Sequence, residues 1–579
     1  MGLLPALCAL LAPCWLLVVH QIAEADTVTV ELSGVEGDAA ANVRAMLRLV
    51  QYGQAGDLSE LNIRNLHSGA ERQIATALRP FGYYYPSVTS TLEQTEPEQW
   101  VARYDIDPGQ PVVLRDIDIT VSGPGAGENA LLEIRDTLAL TRGETLSHRR
   151  YEQAKARLAE SARDLGYRDA AYITSRLTVD PAEGYADVTL ALATGVRYRF
   201  GELRIEQDVV DDDLIRRYST FESGDPFSNR RLIDFEFRLF DSGYFSQVQL
   251  LPQPPEGDTI PILLMASPGP KRAWNLRGGY GTDTGPRIGV GFESRRLNRQ
   301  GHRLLGNLEL SSPRRELTGQ YIQPLRRPAS DLRSFQLGVL DQKLGDIDST
   351  RYEASVRESR RDGPWNRNRY LRFSTESNAT NTEDGSATLL IPGYTLLYSN
   401  SNNVTYPTRG RYAEIDLHGG HDALLSDVTF AQLRTDLRLI QAVGKRNRVL
   451  LRGELGAIAS SNFERLPASE RFFAGGDRSV RGFGLNQLAP INEEGEIVGG
   501  RYLFVASAEY EQRIVGNWGV AGFVDAGNAF NDLEAGIEAG FGVGLRWLSP
   551  IGMVRFDIAQ PITDGGDGFR LHFTFGPEM

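Results

Sequence analysis

Charged and small residues, rather than nucleophiles, are what this sequence offers for chemistry. Arg481 sits in an aromatic, glycine-rich stretch that runs from Phe472-Phe473 through Gly475-Gly476 to Val480-Arg481-Gly482-Phe483, and Asp525 sits in Phe523-Val524-Asp525-Ala526-Gly527. A guanidinium presents a planar fork of donors and a carboxylate presents acceptors. Such groups hold chain segments in place through charge-assisted hydrogen bonds and make no covalent bond. His418-Gly419-Gly420-His421 supplies two imidazoles, too few ligands for a metal ion, and reads as a turn at a strand end. The spacing Gly540-x-Gly542-x-Gly544 is not that of a dinucleotide loop and reads as small residues in a strand. There is no Gly-x-Ser-x-Gly elbow and no Gly-x-x-x-x-Gly-Lys-Ser/Thr phosphate loop. Both cysteines, Cys8 and Cys14, lie in an N-terminal apolar run, so no disulfide or thiolate metal site is expected downstream. The expectation is a protein that is no enzyme and uses neither cofactor nor metal. A net charge of −13, with no basic run, excludes a nucleic-acid partner.

The elements that must position these residues change at about Lys271. Beyond it, segments of roughly ten residues alternate apolar and polar side chains between turns, the pattern of strands with one apolar and one wet face. Phe569, Leu571, Phe573 and Phe575 oppose Arg570, His572 and Thr574; Val554, Phe556 and Ile558 oppose Arg555 and Asp557. Such strands start near residues 273, 286, 302, 315, 332, 350, 367, 388, 410, 427, 447, 500, 517, 538, 551 and 568. They predict an all-β, 16-stranded antiparallel transmembrane β-barrel over 270–579, with one long interruption from Ser461 to Gly499. Phe523 and Asp525 share a face, and Val520, Gly522 and Val524 share the other. A carboxylate facing lipid is costly, so Asp525 is expected in the lumen, where it needs a partner. The first strand, near Trp274–Gly281, carries Gly278, Gly279 and Gly281; the last, near Phe569–Gly576, ends before Pro577. Glycine weakens a strand and proline cannot donate to a ladder, so a weak lateral seam is expected where Phe569, Leu571, Phe573 and Phe575 close against those glycines.

Before the barrel, helix and strand patterns alternate and repeat. Gly143, Ser147, Arg149 and Arg150 recur at the same offsets as Gly224, Ser228, Arg230 and Arg231. Each following helix ends at a Gly-Tyr pair, Gly166-Tyr167 or Gly243-Tyr244, with a fainter copy at Gly82-Tyr83. Serine suits the helix N-cap and glycine a left-handed C-cap, after which the tyrosine is expected to open a strand. Three α+β modules of order β-α-α-β-β are predicted at 26–108, 109–194 and 195–269. In the second, strands at Val112–Val121, Ala170–Thr178 and Ala186–Ala193 flank helices at Asn129–Leu140 and His148–Ala162. The apolar run Leu3–Val19 followed by Ala23-Glu24-Ala25 reads as a signal peptide over 1–25, with Asp26 as the mature start.

Taken together, these motifs resemble a known family. Val480-Arg481-Gly482-Phe483 resembles the signature of the long sixth extracellular loop in the outer-membrane insertase superfamily that includes BamA, TamA and two-partner secretion transporters. Phe523–Gly527 resembles its second signature, and Gly544-Leu545-Arg546-Trp547 through Ser549-Pro550-Ile551-Gly552 to Arg555-Phe556-Asp557 its third. Tyr406-Pro407-Thr408-Arg409-Gly410 resembles a recurrent pre-strand turn, and the modules resemble polypeptide-transport-associated (POTRA) domains. Three modules, the length and the ending Gly576-Pro577-Glu578-Met579 are similar to the TamA branch, the outer-membrane subunits of translocation and assembly modules. The resemblance implies that the loop folds inward, which makes Arg481 the candidate partner of Asp525, with Gly482 allowing close backbone approach. It also implies a cell outer-membrane location with periplasmic POTRA modules, a TamB-like inner-membrane-anchored partner, and autotransporter and other outer-membrane protein clients inserted through the lateral seam. A two-partner secretion pore that exports a specific adhesin is the alternative.

Overall fold

The computed structural model describes residues 27–579 except 54–57, 98, 381–383, 404, 533, 550–551, 564–567 and 576–579. The expected leader and mature start, Pro550-Ile551 of the third motif, and the terminal Gly576–Met579 with its strand-ending proline lie outside the described residues. The chain divides into two compact units. The first holds the chain through Gly201 with Ser223–Arg230 and Pro254–Ile260; the second holds Glu202–Glu222, Arg231–Gln253 and the chain from Pro261 onward.

Each of three small sheets places its last strand in the middle, parallel to its first where that register is defined. The first comprises β1 (Thr27–Ser33), helices α1 (Gly37–Met46), α2 (Arg48–Gly53), α3 (Glu60–Ser68) and α4 (Ala70–Leu78), then β2 (Ser87–Glu96) and β3 (Gln99–Asp107), in the sheet order β1-β3-β2. The second has β4 (Val113–Ser122), α5 (Asn129–Asp136), α6 (His148–Asp164), β5 (Ala171–Asp180) and β6 (Tyr185–Ala193), ordered β4-β6-β5. The third has β7 (Arg199–Glu206), α7 (Asp212–Tyr218), α8 (Asn229–Asp241), β8 (Phe245–Pro252) and β9 (Thr259–Pro268), ordered β7-β9-β8. On α6, Tyr151, Ala154, Leu158 and Ala162 are buried at helical spacing, and on β6 Ala186, Val188, Leu190 and Leu192 are buried at every second position.

The repeated motif has a structural reason. Gly143 and Gly224 have positive φ, and each pairs its backbone with the start of its module's first strand. The Gly143 amide donates to Leu114 O at 2.7 Å and Leu114 donates to Glu144 O at 2.9 Å; Gly224 and Phe200 repeat this at 2.8 Å. Ser147 caps α6 by accepting from the Arg150 amide at 3.4 Å. Gly82, Gly166 and Gly243 are all left-handed, with φ of 90°, 102° and 74°. Gly82 and Gly166 also accept from the next module, from the Val112 amide at 2.8 Å and the Tyr198 amide at 2.7 Å.

Three expectations need correction. Among the described residues the first module has four helices, because Leu47 turns extended between α1 and α2 and Gly69 separates α3 from α4. Helix α5 stops at Asp136 rather than Leu140, because the Thr137 hydroxyl and amide both bond the carbonyls of Glu133 and Ile134. Tyr83 and Tyr167 do not open strands, which begin at Ser87 and Ala171; Tyr167 is buried instead.

The barrel is a 16-stranded antiparallel sheet in chain order. Its strands are β10 (Arg272–Gly281), β11 (Gly285–Ser294), β12 (Arg303–Leu310), β13 (Arg314–Pro324), β14 (Asp331–Leu344), β15 (Ile347–Asp362), β16 (Trp365–Ala379), β17 (Asp384–Ser401), β18 (Arg409–Gly420), β19 (Phe430–Val443), β20 (Asn447–Ser460), β21 (Tyr502–Val515), β22 (Trp518–Phe530), β23 (Glu538–Ser549), β24 (Gly552–Pro561) and β25 (Arg570–Phe575). Each starts within four residues of its expected position. Val520, Val524, Leu545, Phe556 and Ile558 are exposed on the outer face, whereas Glu509, Asp525, Arg546 and Asp557 are buried on the inner one. The third module is bonded to one rim: the Tyr244 hydroxyl donates to Gly301 O at 2.7 Å, and Arg217 donates to Leu325 O at 2.8 Å.

At Gly166 a Cβ would lie 2.8 Å from Tyr198 O, on top of the positive φ, whereas at Gly184 (φ +74°) it would meet open space. Gly166→Ala is expected to cost about 1–3 kcal/mol and Gly184→Ala about 1 kcal/mol. Urea unfolding of the full chain, followed by circular dichroism of the arm's helices, should show the larger midpoint drop for Gly166→Ala.

Candidate functional site

The chain between β20 and β21, Ser461–Arg501, folds into the barrel. Its Phe463, Leu466, Phe472, Val480, Phe483 and Leu488 join Leu389, Ile391, Phe430, Ile458, Leu503 and Val505 of the wall in one buried apolar cluster. Its backbone bonds β21's entry, Phe472 and Gly500 exchanging hydrogen bonds at 3.0 and 2.8 Å. A long loop of ordinary composition would stay in water; this one buries its aromatics because the lumen offers an apolar patch.

At its tip Arg481 is 5% exposed and Asp525 fully buried. Arg481 Nε donates to Asp525 Oδ2 at 2.7 Å and Nη2 to Oδ1 at 3.0 Å, a two-pronged pair, and the Arg481 amide adds a third bond at 3.1 Å. Nη1 reaches Glu509 at 2.7 Å and Asp557 at 3.1 Å, and the guanidinium lies 3.3 Å from the Phe523 ring centroid. Arg546 supplies the balancing cation, bonded to Glu509, Glu511 and Asp557. Glu511 in turn binds Arg448 at 2.7 Å, and Arg448 donates to Pro407 O at 2.6 Å over the Tyr406 ring, which places the Tyr406–Gly410 turn at the network's edge.

Small residues make room for this. Gly540, Gly542 and Gly544 face inward, where a side chain would collide with Arg481 O, the Phe523 ring and Asp557 respectively. Gly482 has φ +101° and a Cβ there would sit 3.2 Å from Pro561 N. Gly527 similarly leaves no room against Phe504 O. The loop tip is thus bonded to β21, β22 and β24, and the Gly482 amide donates to His572 Nε2 on β25 at 3.0 Å.

A second latch holds the loop's near end. Glu470 accepts from Arg372 at 2.6 Å and pairs with His418 Nε2 at 3.0 Å, and His418 Nδ1 lies 2.5 Å from Asp416. His418 is therefore a lumen-facing strand residue, not part of a turn; only His421 opens one, accepting from the Ala423 amide at 3.1 Å. Glu509, Asp557, Arg546, Glu470 and His572 were not assigned roles from sequence. Glu509 and Glu511 alternate on β21 on the same face as Ser507, and a carboxylate there is as costly against lipid as Asp525 would be.

At the closing edge, β10 and β25 are the two ends of the sheet order. Among the described residues, the backbone groups joining them are the Thr282 amide to Phe573 O at 3.3 Å and the Phe573 amide to the Thr282 hydroxyl at 2.9 Å. Tyr280 stacks near Phe573, with ring centroids 6.2 Å apart. Gly278, Gly279 and Gly281 lie in β10; Phe569 and Leu571 point outward and Phe575 packs near Gly552.

An apolar outer belt, a charged and plugged interior and small α/β modules preceding them in the chain define an outer-membrane β-barrel with periplasmic modules. A model of the Omp85 superfamily domain matches residues 272–579, more than half of the chain, and a model of the first POTRA domain of TamA matches residues 29–108. The chain belongs to the Omp85 superfamily and is of the BamA/TamA type. The outer membrane protein assembly factor BamA of Nitratidesulfovibrio vulgaris is 23% identical over 447 residues, covering 72% of this chain and 56% of the relative. That of Neorickettsia risticii is 24% identical over 420 residues, covering 66% and 55%. The chain thus spans little more than half the length of these relatives. The crystal structure of BamA from Haemophilus ducreyi lacking POTRA domains 1–3 aligns with a TM-score of 0.66 at 17% identity, covering 80% of this chain and 100% of that one, a likeness of fold.

Arg481→Ala would strand three buried carboxylates beside Arg546. Breaking such a pair costs about 3–5 kcal/mol, so the loop should leave the lumen and become protease-sensitive in membranes. Arg481→Lys should fall between, because an ammonium cannot reproduce the fork. Limited proteolysis of the three forms checks the order.

Proposed function

We propose that this protein is an outer-membrane assembly factor that inserts client proteins, autotransporters among them, into the outer membrane through a lateral gate between β10 and β25. One observation carries the reading: among the described residues the sheet's closing edge is held by one backbone–backbone bond and one bond to the Thr282 hydroxyl, whereas a ladder the length of β10 would supply about ten. An edge of unpaired N–H and C=O groups cannot rest in hydrocarbon, and it is satisfied by adding a strand. A client hairpin entering the seam would supply that strand. The edge strands β2, β5 and β8 of the modules offer the same chemistry to client or partner strands, and a TamB-like periplasmic partner is assigned to them.

The inward loop favours insertion over export, because its apolar core occupies part of the lumen through which an adhesin would pass. A two-partner secretion pore would need this loop to withdraw along with Arg481.

Tyr280→Cys and Phe573→Cys place thiols on the same outward face of the two edges, where the native rings lie 6.2 Å apart between centroids. With Cys8 and Cys14 replaced by serine, oxidation should reduce insertion of a radiolabelled autotransporter barrel into proteoliposomes to background, and reductant should restore it. Full insertion with the seam locked would exclude lateral opening.

A further inference from the structure

Asp283, in the turn after β10, Asp477, in the inward loop, and His572, on β25, bring potential ligand atoms within 4.8 Å of one another. The polarity of the cluster decides what it is. The Gly482 amide can only donate, and it points at His572 Nε2 at 3.0 Å. That nitrogen is therefore the unprotonated acceptor, and the neutral ring carries its proton on Nδ1, which faces Asp477 Oδ1 at 2.5 Å. The Asp477 amide then donates to Asp283 Oδ2 at 2.5 Å. A histidine that holds a cation has the reverse arrangement, its other nitrogen protonated and donating to an acceptor. A metal on Nδ1 would set an N–H at Nε2 against the Gly482 N–H. The residues suit a chain of hydrogen bonds, Gly482 to His572 to Asp477 to Asp283, rather than a cation site.

The chain of bonds has a particular place. Its middle is the loop tip, fixed to the wall by Arg481. Asp283 follows the first barrel strand and His572 belongs to the last, so the loop tip touches both edges of the seam. His572 is 1% exposed and the Asp283 side chain 4%, so water does not compete for these bonds.

We propose that the loop tip is a clasp on the gate. Asp477 and His572 are positioning residues that hold β25 to the turn after β10, and the gate opens only when the Asp477–His572 bond breaks. The seated loop tip thus keeps the seam shut through this bond, and the seam can part while Arg481 still holds the loop in the lumen. This rests on the lateral-opening reading above.

Spin labels on Leu276→Cys and Leu571→Cys, outward residues 81% and 52% exposed on β10 and β25, report seam width by pulsed dipolar spectroscopy. The protein is the full chain in lipid nanodiscs with Cys8 and Cys14 replaced by serine. Asp477→Ala is expected to raise the long-distance population about tenfold, the loss of one hydrogen bond to a charged group. Asp477→Asn, whose amide oxygen still accepts from the imidazole, should restore the short distance. The loop, held by Arg481, should stay protease-resistant in both. A resting distribution unchanged by Asp477→Ala, or a widening that Asp477→Asn shares, overturns the clasp. If Asp477→Ala does not fold, Asp283→Ala, which breaks the other end, should widen the seam, and no widening there overturns the clasp as well. Adding an unfolded autotransporter barrel separates the two ideas. If the wild-type distance does not lengthen with that client, lateral opening itself fails. If it lengthens while Asp477→Ala leaves the resting state unchanged, only the clasp fails.

Discussion

A buried guanidinium with nowhere else to go organises the barrel interior. Moving Arg481 out of water costs several kcal/mol unless carboxylates meet it with good geometry. Asp525, Glu509 and Asp557 do so from three strands, and Arg546 keeps those carboxylates from facing one another unscreened. Once these groups are fixed, the rest follows. The tip cannot rise without leaving charge stranded, the aromatics behind it must fill the apolar half of the lumen, and the wall opposite must be glycine.

Much of this was legible in the sequence, for reasons of solvent. A strand between lipid and a wet lumen has to alternate, so all sixteen strands could be placed, the faces of β24 and β25 could be read, and Asp525 had to turn inward. The helix-capping glycines were legible because a left-handed residue is nearly always glycine. What could not be read depends on neighbours far apart in the chain. Whether Glu509 and Asp557 meet the same arginine follows from the path of a loop between strands. His418 looked like part of a turn because two glycines follow it, and its strand role emerges only with Glu470 opposite. In the first module the break at Leu47 has no sequence marker, since leucine is a good helix former.

The modules and the barrel solve related problems differently. A module hides its central strand under helices and leaves edge strands open to water, where unpaired groups are solvated. The barrel has no such option in hydrocarbon, and among the described residues side chains as well as backbone meet where β10 and β25 face each other. There the Thr282 hydroxyl accepts from the Phe573 amide, and the Asp477 amide and carboxylate bond Asp283 and His572.

The order in which the chain is made adds a constraint on the barrel's own birth. Arg481 precedes its counter-ions by 28, 44 and 76 residues, and the last of them belongs to β24. Until that strand has joined, Arg481 meets only two of its three carboxylates and Arg546 lacks Asp557. The charge network around the plug is therefore complete only in a nearly finished cylinder. In this way the complete network is a record that the protein's own assembly reached its end.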